Sequence, residues 1–188
     1  MGRLFDEDIM MILARHQYAD PKVYIETGTW MGTQLLISAR HFEAVVGIEL
    51  DEHWHEVSTQ NTDQLNNVHV IHGDTQTELP KLLNIMPKSV FVVLDAHFFI
   101  SNPPLAKSEF PLWKELQVLK DRNYADIISV DDVHTFGVNR EDLRFEQGAV
   151  EWESVTEDSI LEFMGDRVVD HTIVGDSLIL WMSDGRET

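Results

Sequence analysis

Residues 22–51 read KVYIETGTWMGTQLLISARHFEAVVGIELD. The apolar run KVYIET (22–27) breaks at Gly28 and Gly32, and a helical stretch, TQLLISARHF (33–42), follows. A second apolar run, AVVGIEL (44–50), then returns. Strand, tight turn, helix and strand in one short span form a βαβ unit, whose strands run parallel with a right-handed crossover.

The alternation continues outward from this unit. Upstream, residues 4–17 set Phe5, Ile9, Ile12, Leu13 and His16 on one helical face. Downstream, DEHWHEVSTQNTDQL (51–65) is a helix with acids in its first turn, where the helix dipole favours them. VHVIHG (68–73) is a third strand. TQTELPKLLNI (75–85) is a helix with Thr75 and Glu78 at capping-box spacing and Pro80 in or near its first turn. SVFVVLD (89–95), a helix EFPLWKELQVLKD (109–121) and a strand DIISVDD (126–132) come next. RVVDHTIV (167–174), the turn GDS and LILWMS (178–183) read as a β-hairpin. The expected fold is α/β: a Rossmann-like, doubly wound, mostly parallel seven-stranded sheet with a C-terminal antiparallel hairpin. One domain spans 1–188, with an N-terminal helix (1–20), a half that carries the strand-end acids (22–136), and helices plus the terminal hairpin (137–188).

Composition bounds the function. A chain of 188 residues with 43% hydrophobic and 25% charged residues can bury a sizeable core, so wholesale disorder is not expected. There are no cysteines, which excludes disulfides and thiolate metal sites and is compatible with a reducing cytoplasm. The N-terminal MGRLFDEDIMMILARHQ is acidic where a signal peptide is basic, and no apolar run approaches membrane-spanning length. The expectation is a cytoplasmic protein, with a homo-oligomer compatible with the sequence. Fourteen basic against 33 acidic residues give a net charge of -19, a surface that repels nucleic acid and anionic membranes. A small-molecule partner is therefore expected.

In doubly wound sheets, ligands bind at the carboxyl ends of the strands. Glu26, Gly28, Gly32 and Thr33 follow the first strand, where glycines let the backbone turn sharply and approach a ligand. An ordinary tight turn explains them as well. Glu49 ends the second strand, where a carboxylate can hold ribose hydroxyls; Asp51 is the better helix cap there. Asp74 ends the third strand, either meeting an adenine amino group or capping the next helix. The stretches VVLDAHFF (92–99) and IISVDDVH (127–134) both discharge carboxylates and a histidine from buried strands. Asp95, Asp131 and Asp132 would repel one another unless a cation holds them, and a hard oxygen site suits Mg²⁺. His97 shares a side with Asp95 if the strand continues, and could act as a general base. His134 reads as a hydrogen-bonded structural histidine.

Glu-x-Gly-x-x-x-Gly after the first strand, an acid after the second, GD after the third, LDAH after the fourth and DD after the fifth resemble class I S-adenosylmethionine (SAM)-dependent methyltransferases. The resemblance covers 22–136 and the terminal hairpin. Within that class the three aspartates look like the ligands of Mg²⁺-dependent small-molecule O-methyltransferases of the macrocin and, more distantly, catechol types. The resemblance implies that Glu26, Gly28, Thr29, Gly32 and Thr33 hold the amino-acid end of SAM, Glu49 the ribose and Asp74 the adenine side. It implies Asp95, Asp131 and Asp132 as metal ligands; the catalytic candidates are Asp95 among them and, from its place in the sequence, His97 beside the metal. Two features depart from the pattern: Thr29 and Trp30 replace a central loop glycine, and His97 stands where an acid is usual.

The alternatives are a SAM- or nucleotide-binding protein of the same fold without catalysis, and a nucleic-acid amino-methyltransferase. The latter rests on SNPPL (101–105), whose last residue is Leu105 instead of an aromatic, and whose place at the fourth strand end is taken by Asp95. An iron site of two histidines and a carboxylate, using His97 and His134, would leave the nucleotide-like loop without a purpose.

Overall fold

Alternate residues of the central strands go to opposite faces of one sheet, and two helical layers cover them. A computed structural model of the chain describes residues 4–16, 19–96, 110–138 and 152–185. The strands are β1 (Val23–Thr27), β2 (Ala44–Glu49), β3 (Val68–His72), β4 (Val90–Leu94), β5 (Ile127–Val130), β6 (Val168–Val174) and β7 (Ser177–Met182). They form a seven-stranded sheet in the order β3-β2-β1-β4-β5-β7-β6. β1 to β5 are parallel, while β7 runs antiparallel to β5 and β6. This is the expected doubly wound, mostly parallel sheet with its antiparallel hairpin. The strand order reverses between β1 and β4, so the ligand crevice belongs at their carboxyl ends.

The helices are α1 (Asp6–Arg15), α2 (Thr33–Ser38), α3 (Glu52–Thr62), α4 (Thr75–Asn84), α5 (Leu112–Lys120) and α6 (Glu157–Met164). Val23 and Ile25, Val90, Val92 and Leu94, and Ile128 and Val130 pack with Leu79, Leu116 and Ile160 of α4, α5 and α6. Their neighbours Tyr24, Phe91, Val93 and Ile127 pack with Ile9 and Ile12 of α1 and Leu35 of α2. Strands apolar on both faces are what a sheet covered on both sides requires. Among the described residues, no helix is long and apolar enough to cross a membrane.

Local expectations needed two corrections. The cap of α4 is Asp74, whose carboxylate accepts from the Gln76 N–H at 2.8 Å. Thr75 is already helical and buried, so the Thr75–Glu78 capping box does not form; Glu78 instead pairs with Lys81 at 2.8 Å. Pro80 sits in the second turn of α4, next to the first, within the expected range. The helix expected over 33–42 ends at Ser38, and 3₁₀-type bonds such as His41 N–H to the Ser38 carbonyl carry the chain onward.

Two buried polar groups anchor the lower sheet and α5. Asp126, fully buried before β5, accepts from Arg122 Nε at 2.7 Å and from the Val90 N–H at 2.9 Å. Glu115 lies on the buried stripe Leu112, Glu115, Leu116, Leu119 of α5, and neither carboxyl oxygen has a full hydrogen bond among the described residues. Burial raises its pKa to about 7, against the pull of the nearby Thr75 and Thr27 hydroxyls. Because the folded pKa lies above the ordinary 4.5, this group stabilises most at low pH, and that contribution is lost as pH rises toward about 7. Glu115→Gln is expected to remove a slope of about 3 kcal/mol in urea-unfolding free energy across that window. An unchanged slope would mean that Glu115 is not protonated in the fold.

Candidate active site

The first loop is built by close protein contacts. Gly28 has φ +79 and Gly32 φ +73, the left-handed region that favours glycine. A Cβ at Gly28 would stand 2.5 Å from the Asp95 carbonyl oxygen, and one at Gly32 would stand 3.1 Å from Ser58 Cβ. So both glycines make room for neighbouring protein backbone or side chain, as a tight turn requires. Gly28→Ala is expected to destabilise the chain by about 2–4 kcal/mol, from strain at positive φ plus the clash, as read by urea unfolding. A loss below about 0.5 kcal/mol would contradict this packing.

Trp30 takes φ +46 where the sequence lacks a glycine, so the loop keeps a glycine-like bend without one. Glu49 compensates. Its Oε2 accepts from the Trp30 N–H at 2.8 Å and its Oε1 from the Asp51 N–H at 3.0 Å. Glu49 is buried; Thr29 Oγ1 also donates to Oε2, at 3.5 Å, so it is Oε1 that keeps a further lone pair for a ligand hydroxyl. Asp51 caps α3 by accepting from the Trp54 N–H.

At the other side of the crevice, Asp95 leaves β4 directly, its N–H bonded to the Thr27 carbonyl at 3.1 Å. β4 ends at Leu94, so the strand continuation that was to align residues 95 and 97 does not occur. His97 lies outside the described residues, as do residues 101–105 of the SNPPL stretch. Asp131 and Asp132 follow β5 and are both 3% exposed. Asp132 has φ +64, in the left-handed region, where it opens the 3₁₀ turn Val133–Thr135. Carboxylate oxygens of Asp95, Asp131 and Asp132 lie within 4.8 Å of one another.

Crowding and burial set the electrostatics. Burial raises Asp95 well above the usual carboxylate range, with Asp131, Glu26 and Asp132 adding repulsion. Burial lifts Asp131 to about 6, although Ser177 Oγ donates to its Oδ1 at 2.8 Å. Burial and the Asp131 charge lift Asp132 to about 7. Its Oδ2 is shielded from solvent with no hydrogen-bond partner among the described residues. Three raised carboxyls and an orphaned buried oxygen fit a hard divalent cation, which would replace the protons they otherwise hold.

One cleft joins the two halves. Glu26, Gly28, Thr29, Trp30, Met31 and Thr33 line it on one side, and Asp95, Asp131 and Ser177 on the other, with Leu4, Gln34 and Val93 between. Gly32, Glu49, Asp74 and Asp132 are not among its lining residues; Glu49 bonds to the loop at Trp30, and Asp74 caps α4.

The sequence reading missed Ser177 and Asp176. They sit at the hairpin turn, and the antiparallel register Val130↔Leu178 carries that turn to the end of β5. Asp176 accepts from the Val133 N–H at its carbonyl and from the His134 N–H and Nδ1 at its carboxylate. His134 is thus hydrogen-bonded, as expected. The signal was the GDS turn facing the carboxyl end of an antiparallel neighbour.

No family model matches the chain, and no curated protein matches its sequence. Solved structures share its fold. An O-methyltransferase from Bacillus cereus in complex with S-adenosylhomocysteine (SAH) superposes with a TM-score of 0.60 at 18% identity, over 92% of this chain and 79% of that one. An SAH-bound methyltransferase from Podospora anserina gives 0.63 at 16%, over 93% and 76%. A SAM-dependent methyltransferase from Aquifex aeolicus gives 0.56 at 18%, over 95% and 89%. A [4+2]-cyclase, SpnF, gives 0.54 at 12%, over 89% and 58%. The chain therefore has the fold of class I SAM-dependent methyltransferases.

Proposed function

We propose that the chain transfers a methyl group from SAM to a hydroxyl of a small molecule, assisted by a divalent cation at Asp95, Asp131 and Asp132. The observation that carries this reading is the shared cleft, which has the glycine loop on one wall and Asp95 and Asp131 on the other. Further support comes from the fold and from the SAH-bound state of two neighbours. Glu26, Gly28, Thr29, Gly32 and Thr33 would hold the amino-acid end of SAM, Glu49 the ribose through the spare lone pair of Oε1, and Asp74 the adenine side. Bound at the three aspartates, Mg²⁺ or a similar ion would lower the pKa of the acceptor hydroxyl and fix its oxygen.

The chain's own residues supply position. Ser177 orients the Asp131 carboxylate, and Thr27 Oγ1 accepts from the Asp95 N–H at 3.3 Å. Such second partners keep ligands aimed. Trp30 and Met31, partly exposed on the cleft wall, offer an apolar body next to the acids and so favour an acceptor with an apolar frame and a polar hydroxyl end. Rate would then come mainly from orientation and excluded water. His97 remains the candidate base. The charge of -19 argues against nucleic acid and anionic membranes as partners.

Calorimetry with SAM and SAH tests the reading. One site per chain for each ligand is expected, weakened by at least about tenfold in Glu49→Ala. Absence of binding to both would sink it. A second reading is a binder that does not transfer methyl groups, favoured by Glu49 being already engaged by Trp30 and Asp51. The fold is also that of a [4+2]-cyclase, so the fold alone does not decide the chemistry.

A further inference from the structure

The geometry points to a second cation site, formed by Asp132, His134 and Asp176, that shares Asp132 with the first and takes a divalent transition-metal ion. The shared role of Asp132 rests on the proposed first site; the second set of ligands does not. One ligand atom from each of Asp132, His134 and Asp176 lies within 4.8 Å of the others, as in the Asp95, Asp131, Asp132 group. Asp132 belongs to both groups, so its carboxyl faces both. It is 3% exposed, its Oδ1 lies 3.9 Å from His134 Nδ1, and its Oδ2 is shielded with no hydrogen-bond partner among the described residues. A buried carboxylate in that condition is costly unless a cation or a proton meets it.

The other two ligands are already fixed. Asp176 is held by the Val133 N–H at its carbonyl and by the His134 N–H at Oδ1, both at 2.9 Å. His134 Nδ1 lies 2.6 Å from Asp176 Oδ2, and the imidazole is about half exposed, so an ion can arrive from solvent. Two ligands of one ion about 2.1 Å from it sit roughly 3 to 3.5 Å apart. Two of the three separations, 2.6 and 3.9 Å, straddle that spacing, and the third lies within 4.8 Å, so shifts of up to about an ångström bring the three to one ion. Binding would displace the proton shared by His134 and Asp176 to solvent and turn the freed Nδ1 lone pair to the ion. One imidazole nitrogen with two carboxylates suits Mn²⁺, Co²⁺ or Zn²⁺ better than Mg²⁺, whereas the first site is all oxygen. A plain hydrogen bond that pins the hairpin turn explains the 2.6 Å contact, but not why the buried Asp132 carboxylate turns Oδ1 toward His134 and stops at 3.9 Å, beyond hydrogen-bond reach.

The test is calorimetric titration of the chelator-stripped full chain with Mn²⁺ alone, with electron paramagnetic resonance for spin coupling between neighbouring ions. Wild type is expected to bind two Mn²⁺, His134→Gln and Asp176→Asn one each, and Asp95→Asn to keep the site that His134→Gln loses. Metal-free melting curves check that each variant folds, and Asp176→Asn keeps an oxygen for the His134 N–H. Two ions in wild type and still two in His134→Gln overturn the inference. One ion in wild type, unchanged in His134→Gln but lost in Asp95→Asn, overturns it and leaves the first site standing. One ion lost in His134→Gln but kept in Asp95→Asn supports it and removes the first site. No ion in wild type overturns both.

Discussion

Asp131→Asn is expected to abolish the stabilisation that millimolar Mg²⁺ gives the wild type and to lower methyl-transfer kcat/KM by about 10²- to 10³-fold. A ligand at about a hundred times its Kd stabilises the folded state by about 2.7 kcal/mol, which for a chain of this size raises the melting temperature by roughly 5–10 °C. Without cation the order reverses. Asp131 is buried among like charges, so removing its charge relieves repulsion, and the amide oxygen can still accept from Ser177. The metal-free variant should therefore melt no lower than the metal-free wild type. SAM affinity should change little, because the first loop and the acids occupy different strand ends. If the aspartates only close turns, a melting temperature flat across Mg²⁺, Mn²⁺ and Ca²⁺ is expected instead, with a modest loss in the variant.

Arg122→Ala should produce the largest loss of stability, about 3–5 kcal/mol, or a melting temperature lower by about 10 °C or more. Its guanidinium is 8% exposed and donates to Asp126 and to the carbonyls of Leu83 and Lys88 at 2.7–2.9 Å. Removing it leaves Asp126 charged and fully buried between β4 and β5. Burial already raises the pKa of Asp126, and Arg122 is the main force opposing that rise. Asp126→Leu in the same chain should recover part of the loss, since a buried ion pair exchanged for apolar groups is often neutral. A loss under about 1 kcal/mol in the single variant would show that the pair is not anchoring the lower sheet.

The sheet was readable because β1, β2, β4 and β5 are apolar on both faces and separated by helical periods. The convergence of Asp95, Asp131 and Asp132 was readable from the paired strand ends. What escaped depends on tertiary contact. Asp74 won the cap of α4 from Thr75 because the Thr75 side chain is drawn inward beside Glu115. Neither Glu115 nor the Arg122–Asp126 pair was read from the sequence, although Glu115 interrupts an apolar i, i+3, i+4, i+7 stripe, because their burial depends on the packing of α5 and the strands. Ser177 and Asp176 reach the acids only through the antiparallel register of β7 on β5, which no local pattern encodes. The room at Gly28 is taken by the Asp95 backbone, a contact between distant segments.

The most direct test of methyl transfer is the formation of SAH from SAM in the presence of a broad panel of hydroxylated small molecules, with chelator and with Mg²⁺ restored. The account predicts SAH that appears only with an acceptor, falls with chelator, returns with Mg²⁺ and is lost in Asp131→Asn. SAM bound at one site per chain, yet no SAH with any acceptor or cation, would contradict it and leave a binding protein on a methyltransferase fold.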